Sequence, residues 1–303
     1  MSLEIRTKDQ HHGFGDMRAV LDRPDLFDAV NLHALADPVE IERSVRWLRW
    51  EMEQRGYEKD ILISDTAPTP FMAYGDATTC TGNPRVMGVI FRPASEEDRC
   101  RLADYFDRLI RGDEETIRWT RAFHAEDVVK KVVIAAESGV RLINTAFTED
   151  LHLLKTPLLK AGAGASAWGG MTTWKVNPFT GDRVLEEVHP SFYSLRQLVR
   201  YLREYELIAR IETADPDVRL YEVQTPGRRF RIAWLDPDRL VLPGDDEPET
   251  ILEIETDAPG LLLESVIREP GREEPTRRVV EPEEGVARLL LTRTPMYIFE
   301  SSG

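Results

Sequence analysis

Asp65 follows a short apolar run, Ile61-Leu62-Ile63, and stands between Ser64 and Thr66 just before a proline-bounded turn. Three more polar side chains hold the same kind of position. Asn31 and His33 close the run from Phe27 to His33, and Asn144 lies in the second half of the run from Val140 to Phe147. A carboxylate where a buried strand gives way to a loop is the first place to look for chemistry, and neighbouring amide and imidazole groups are suited to holding hydroxyls. A second reading of Asp65 is a turn cap bonded to its own backbone. Trp168 and Trp174, set among Gly and Thr residues, offer flat apolar faces that serve equally as a ligand platform or as packing. Glu149 and Asp150, just past the Asn144 run, read as surface charges or caps.

The elements that must carry these residues are legible as a pattern. Phe27 to His33 reads as a strand ending in polar residues, and Asp37-Pro38 then reads as an N-cap followed by a proline in the first helical position. From Pro38 to about Arg55, Ile41, Val45, Leu48 and Met52 recur at helical spacing and Gly56 stops the run. With Ile61 to Ile63 this spells strand, helix, strand, and a crossover of that length makes the two strands parallel. Parallel strands direct their carboxyl ends at the ligand, so Asn31, His33 and Asp65 are expected on one rim.

Residues 66–94 form a long irregular segment, followed by helices from Ser95, from about Glu114 to Phe123, and from Val128 to Gly139. Residues 148–188 form a second long loop region, and a helix with Leu195, Leu198, Val199 and Leu202 on one face begins near His189. After Glu206 the period changes. Six short apolar runs between Leu207 and Thr292, separated by Pro-Gly turns, predict an antiparallel sandwich. The expected domains are residues 1–206 and 207–303, α/β followed by all-β.

The 303-residue chain, with 42% hydrophobic and 31% charged residues, is long enough for two globular domains. A net charge of −15 argues against a nucleic-acid partner, whose phosphates need clustered Lys and Arg. No apolar run reaches the roughly 18 residues of a membrane span. The first twenty residues lack the apolar core of a signal peptide, which gives a cytoplasmic reading unless the true start lies upstream. Cys80 and Cys100 could pair, but the expected state is two free thiols in a reducing compartment. No metal or cofactor is expected. The two cysteines lack ligand spacing, the adjacent His11 and His12 would point opposite ways, and Ala161 to Ser166 lacks the Gly-Lys-Ser/Thr ending of a phosphate loop.

Taken in order, four short stretches resemble the later part of a glycoside hydrolase (β/α)8 barrel of the large retaining clan with its C-terminal β-sandwich. They are Phe27 to His33 (F-D-A-V-N-L-H), Lys59 to Thr66 (K-D-I-L-I-S-D-T), His189 to Leu198, and Leu291 to Ile298. The resemblance covers nearly the whole chain. It implies a partial (β/α) TIM-type barrel before the sandwich and a carbohydrate ligand at the strand exits. Asp65 would be the catalytic nucleophile or electrostatic stabiliser, with Asn31, His33 and Asn144 as hydroxyl-binding groups and Trp168 or Trp174 as a sugar-stacking platform.

Two departures matter. The clan's nucleophile is Glu, one methylene longer than Asp65, and a retaining mechanism holds its carboxyl groups roughly 5 to 5.5 Å apart. The clan's acid/base Glu follows Asn, whereas Asn31, Asn83, Asn144 and Asn177 are followed by Leu, Pro, Thr and Pro. The resemblance therefore leaves two alternatives: a glycosidase whose acid/base lies upstream, or an inactive carbohydrate-binding or assembly module descended from one. A partial barrel also has open sheet edges, which predicts a homodimer or association with a partner fragment.

Overall fold

The structure is a computed structural model, and it describes residues 14–34, 37–66, 80, 96–145, 148–150, 168–237 and 239–301. His11, His12 and the run from Ala161 to Ser166 lie outside the described residues. The chain forms two compact units. One holds the chain up to Ile110 with Lys131–Phe147 and Leu151–Gly169, and the other holds Arg111–Lys130, Thr148–Asp150 and Gly170–Gly303.

The first unit contains α1 (Phe14–Leu21), β1 (Ala29–Ala34), α2 (Val39–Glu53), β2 (Asp60–Thr66) and α3 (Glu96–Ile110), together with the later residues of α4 (Glu114–Glu137) and β3 (Leu142–Ile143). As the strand-helix-strand pattern requires, β1 and β2 are parallel, and β3 adds to β2 in the same direction. The sheet is open, in the order β1-β2-β3, and the described residues close no barrel. Ile61 and Ile63 of β2 and the α2 stripe Ile41, Val45, Leu48 and Met52 are all buried, which is the apolar periodicity of the sequence put to use. Helix α2 starts one residue later than its cap signal suggests, with Pro38 rather than Asp37 in the N-cap position.

Glu51, buried among these apolar residues, accepts from Arg18 of α1 at 2.8 Å and from Arg55 at 2.6 Å. Burial raises its carboxyl pKa, but the two guanidiniums outweigh burial and hold it below the ordinary carboxylate value. At the far end of α4, Gly139 adopts φ +71°, and Arg49 of α2 donates to its carbonyl at 2.9 Å. That guanidinium sits where the helix carbonyls run out of partners. Cys80 and Cys100 are joined in a disulfide, correcting the expectation of free thiols. Their Cα atoms are 4.2 Å apart, a proximity set by the path of the chain rather than by any spacing in the sequence.

In the second unit, β4 (Thr172–Val176) and β5 (Arg183–Val188) form a two-stranded hairpin and α5 spans Pro190–Leu202. Eight further strands follow: β6 (Leu207–Ile211), β7 (Val218–Thr225), β8 (Arg228–Leu235), β9 (Thr250–Glu255), β10 (Leu261–Ser265), β11 (Arg277–Val280), β12 (Val286–Leu291) and β13 (Met296–Glu300). Six of them make an antiparallel sheet in the order β11-β10-β13-β8-β7-β6, and β12 pairs with β9.

The large sheet buries both faces. One face, with Val218, Leu220, Ala233, Leu263 and Ile298, shares a core with Leu252 and Ile254 of β9 and Ala287 and Leu289 of β12. The opposite face is aromatic, and Tyr201 of α5 meets the rings of Phe230, Tyr297 and Phe299 at 6.0, 5.0 and 5.3 Å. Alternation along each strand therefore separates an aliphatic layer from an aromatic one.

Helix α4 is continuous where the sequence predicts two helical stretches. Its middle, His124-Ala125-Glu126-Asp127, is buried despite its charge. Glu126 is matched there by Arg268 and Thr294, which donate to one of its oxygens at 2.7 and 2.8 Å.

Candidate functional site

Four of the residues singled out in the sequence meet at the carboxyl ends of the parallel strands. Along β1 and β2 the partners run Asn31 to Leu62 and Leu32 to Ile63, then the register shifts so that His33 faces Asp65. Ser64 is the extra residue. Without this bulge His33 would face Ser64, so a one-residue irregularity sets the histidine against the carboxylate.

A bulge leaves ladder groups without their usual partners, and side-chain amides supply them here. Asn31 accepts from the Ser64 amide at 3.0 Å and donates to its hydroxyl at 2.7 Å. From the other side Asn144 donates to the Ser64 carbonyl at 3.0 Å, and its own backbone carbonyl accepts from the Thr66 hydroxyl at 3.0 Å. The two asparagines thus form a brace around Ser64, a residue the strand pattern does not single out. The only signal for it in the sequence is a small polar residue at the end of an apolar run.

His33 Nδ1 and Asp65 Oδ2 are 3.9 Å apart, and both side chains are about half exposed, at 57% and 50%. The spacing is that of a loose ion pair rather than a hydrogen bond, and at this exposure it contributes on the order of 0 to 1 kcal/mol. The pair is open to a ligand. The side chain set against Asp65 is an imidazole, not the second carboxylate of a retaining pair.

The tryptophans are placed differently. Trp168 is only 5% exposed and belongs to the first unit. Trp174 lies in β4 of the second unit, where its Nε1 donates to Thr172 at 2.9 Å and the guanidinium of Arg183 sits 5.1 Å over its ring. One face of that ring is therefore already occupied, and Arg183 is also paired with Glu149.

Asp150 corrects the reading of a surface charge or cap. It is buried, and Arg121 of α4 grips both its oxygens at 2.8 and 2.5 Å. Its oxygens also accept from the Gly170 amide at 3.1 Å and the Thr173 hydroxyl at 3.0 Å. Gly170 has no alternative there, because a Cβ would lie 2.2 Å from the Asp150 nitrogen. Thr173 Oγ1 is also 2.8 Å from Nε2 of the buried His189, whose Nδ1 lies 3.6 Å from Glu187. Nothing in sequence spacing links Arg121, Asp150, Thr173 and His189. In the sequence His189 stands out only as the start of a helix and of one of the four stretches that carry the resemblance.

Among the described residues no group of three or more His, Cys, Asp or Glu side chains is placed to hold a metal ion. No described helix is long and apolar enough to cross a membrane.

No protein-family model matches the chain, and a search of curated proteins finds no match. Among solved structures it is similar to a family 39 glycoside hydrolase from the gut symbiont Bacteroides cellulosilyticus, at 12% identity and a TM-score of 0.41 over 95% of this chain and 61% of that one. It is also similar to a β-porphyranase of glycoside hydrolase family 86 from Bacteroides plebeius, at 9% identity and a TM-score of 0.45 over 95% of this chain and 44% of that one. A third is a family 44 xyloglucanase from Paenibacillus polymyxa, at 5% identity and a TM-score of 0.39 over 85% of this chain and 35% of that one. The chain spans less than two thirds of each of these proteins. All three are glycoside hydrolases, the group that the sequence motifs resemble.

Proposed function

We propose that the chain is a glycoside hydrolase-like protein that acts on or binds a carbohydrate at the carboxyl ends of β1, β2 and β3. The observation that carries this reading is the bulge that sets His33 against Asp65, half exposed, at the exit of parallel strands. In this reading Asp65 is the nucleophile or stabiliser of positive charge and His33 holds a hydroxyl. Asn31 and Asn144 face the ligand with whatever donors and acceptors the Ser64 brace leaves over. Trp168 serves as a stacking platform only if its packing opens, and Trp174, in the second unit, offers a ring for stacking a sugar once Arg183 moves aside. The architecture that goes with this reading is a partial (β/α) barrel over residues 1–206 and an antiparallel sandwich over 207–303.

The second reading, a binding module without turnover, is favoured by one observation: the neighbour of Asp65 is an imidazole and its own side chain is short. A panel of aryl glycosides tests the first reading. Turnover by the wild type that disappears in Asp65→Asn supports a hydrolase. Affinity electrophoresis in gels containing soluble polysaccharides tests the second, with retardation that is weakened by Asp65→Asn and by His33→Ala. Neither turnover nor retardation on any glycan would remove both.

A further inference from the structure

Phe123, Glu126, Asp127 and Lys130 follow one another along α4 at spacings that set them side by side on one face of the helix. The turn between β12 and β13 lies on that face. Thr294 donates to Glu126 at 2.8 Å, and the guanidinium of Arg293 sits 4.6 Å over the Phe123 ring. The end of β8 meets the same turn, where the Leu235 amide donates to the Thr292 carbonyl at 2.8 Å and brings Asp236 alongside. All of these residues belong to the second unit.

The charges gathered here are not matched by contact. Glu126 is taken by Arg268, at 2.7 Å, and by Thr294, and Asp236 has Arg219 at 3.7 Å. Lys130 is only 4% exposed and has no hydrogen-bond or ion-pair partner among the described residues. Glu126, Asp127 and Asp236 all stay more than 4.0 Å from its ammonium. Arg293 is half-buried and gives Phe123 one face of its guanidinium, which has no ion pair among the described residues. Its N–H edges are left for an acceptor. Burying an ammonium without a countercharge in contact is costly, and burial accordingly pushes the Lys130 pKa down. Of the surrounding charges, Asp236, which opposes that shift, and Arg293, which adds to it, act on Lys130 most strongly.

We propose that Lys130 and Arg293 form a binding site for a small oxyanion, a sulfate or phosphate group. Arg293 offers paired donors along one edge of its guanidinium, and Lys130 supplies a point charge from the helix. Such an anion gives both cations the contact that Glu126, Asp127 and Asp236 do not. The site shares no residue with the β1–β2 rim and does not depend on the carbohydrate reading.

Thermal melts of the full chain in a buffer free of oxyanions test this, with sodium sulfate or sodium phosphate added and ionic strength held constant by sodium chloride. The Tm should rise and saturate with sulfate and with phosphate but not with chloride. A net charge of −15 disfavours general anion binding, so a saturable response isolates a built site. Lys130→Met and Arg293→Gln should each weaken the apparent affinity by at least about ten-fold, since each removes a charge-assisted contact. Arg293→Gln alters a half-buried side chain and keeps the test valid should Lys130→Met not fold. Phenyl phosphate separates a free ion from an esterified group: an enclosed site responds to inorganic phosphate alone, an open one to both. A Tm that does not respond, that follows ionic strength alone, or that responds equally in the wild type and Arg293→Gln would overturn the proposal.

Discussion

Asn31 and Ser64 exchange two hydrogen bonds across β1 and β2, one to the Ser64 amide and one to its hydroxyl, at the point where the strand register slips. Asn31 therefore holds the irregularity that puts His33 opposite Asp65. Asn31→Ala should cost about 1 to 3 kcal/mol in a urea melt, because the Ser64 groups lose their partner. Asn31→Asp keeps the acceptor and should cost less. Amide exchange at Ser64 should rise sharply in Asn31→Ala and only slightly in Asn31→Asp.

Asp150→Asn removes the carboxylate that pairs with the buried guanidinium of Arg121, a loss of about 3 to 5 kcal/mol for such pairs. The double variant Arg121→Met with Asp150→Leu removes both charges together. It should recover much of that loss in chemical denaturation, whereas two equal and additive losses would contradict a coupled pair.

Lys130 is buried on α4, and burial is the main reason its ammonium pKa is pushed below the usual lysine value. Asp236, Glu126 and Asp127 pull the other way without overcoming it. Glu126 is held by Arg268 and Asp236 lies 3.7 Å from Arg219, so these carboxylates are shared with other cations. Since the folded value is the lower one, the stability linked to Lys130 is fully present above the ordinary lysine pKa and is lost as pH falls to the folded value. Lys130→Met should raise the Tm near neutral pH, with the gain shrinking toward the alkaline end of a pH series. A gain that is constant across the series would contradict this assignment.

Tyr201 titrates late. Burial first, and then its hydrogen bond to Glu264, push the phenol up to about 12. A raised folded value means stability that is complete below the usual phenol pKa of 10.0 and lost as pH rises toward about 12. Ultraviolet titration should lose a step near there in Tyr201→Phe. In Glu264→Gln the step should move down without reaching the ordinary value, because the burial remains.

The fold was legible where burial follows a simple period. Ile61-Leu62-Ile63 announces a covered parallel strand, and Ile41, Val45, Leu48 and Met52 announce a helix, because in both the apolar side chains are close in sequence and share one environment. The β4–β5 hairpin fails that test. Val176, Val184 and Leu185 are exposed, so no alternation of buried and solvated positions marks the strands. The middle of α4 fails for the opposite reason, since Glu126 is buried at the cost of a partner, Arg268, that lies 142 positions away. At the candidate site the individual residues Asn31, His33, Asp65 and Asn144 stood out by type. The bulge did not, because it depends on what two neighbouring strands place on either side of Ser64.

The order of the large sheet sets a constraint on how this unit can be made. β13 lies between β10 and β8, so Met296–Glu300 is the seam joining the β6-β7-β8 meander to the β10-β11 pair. During synthesis those two pieces emerge from the ribosome first, each with an unpaired edge along the line that β13 will fill. A chain without Met296–Glu300 thus leaves the facing edges of β8 and β10 unpaired, and unpaired edges of that kind are sites of misassociation.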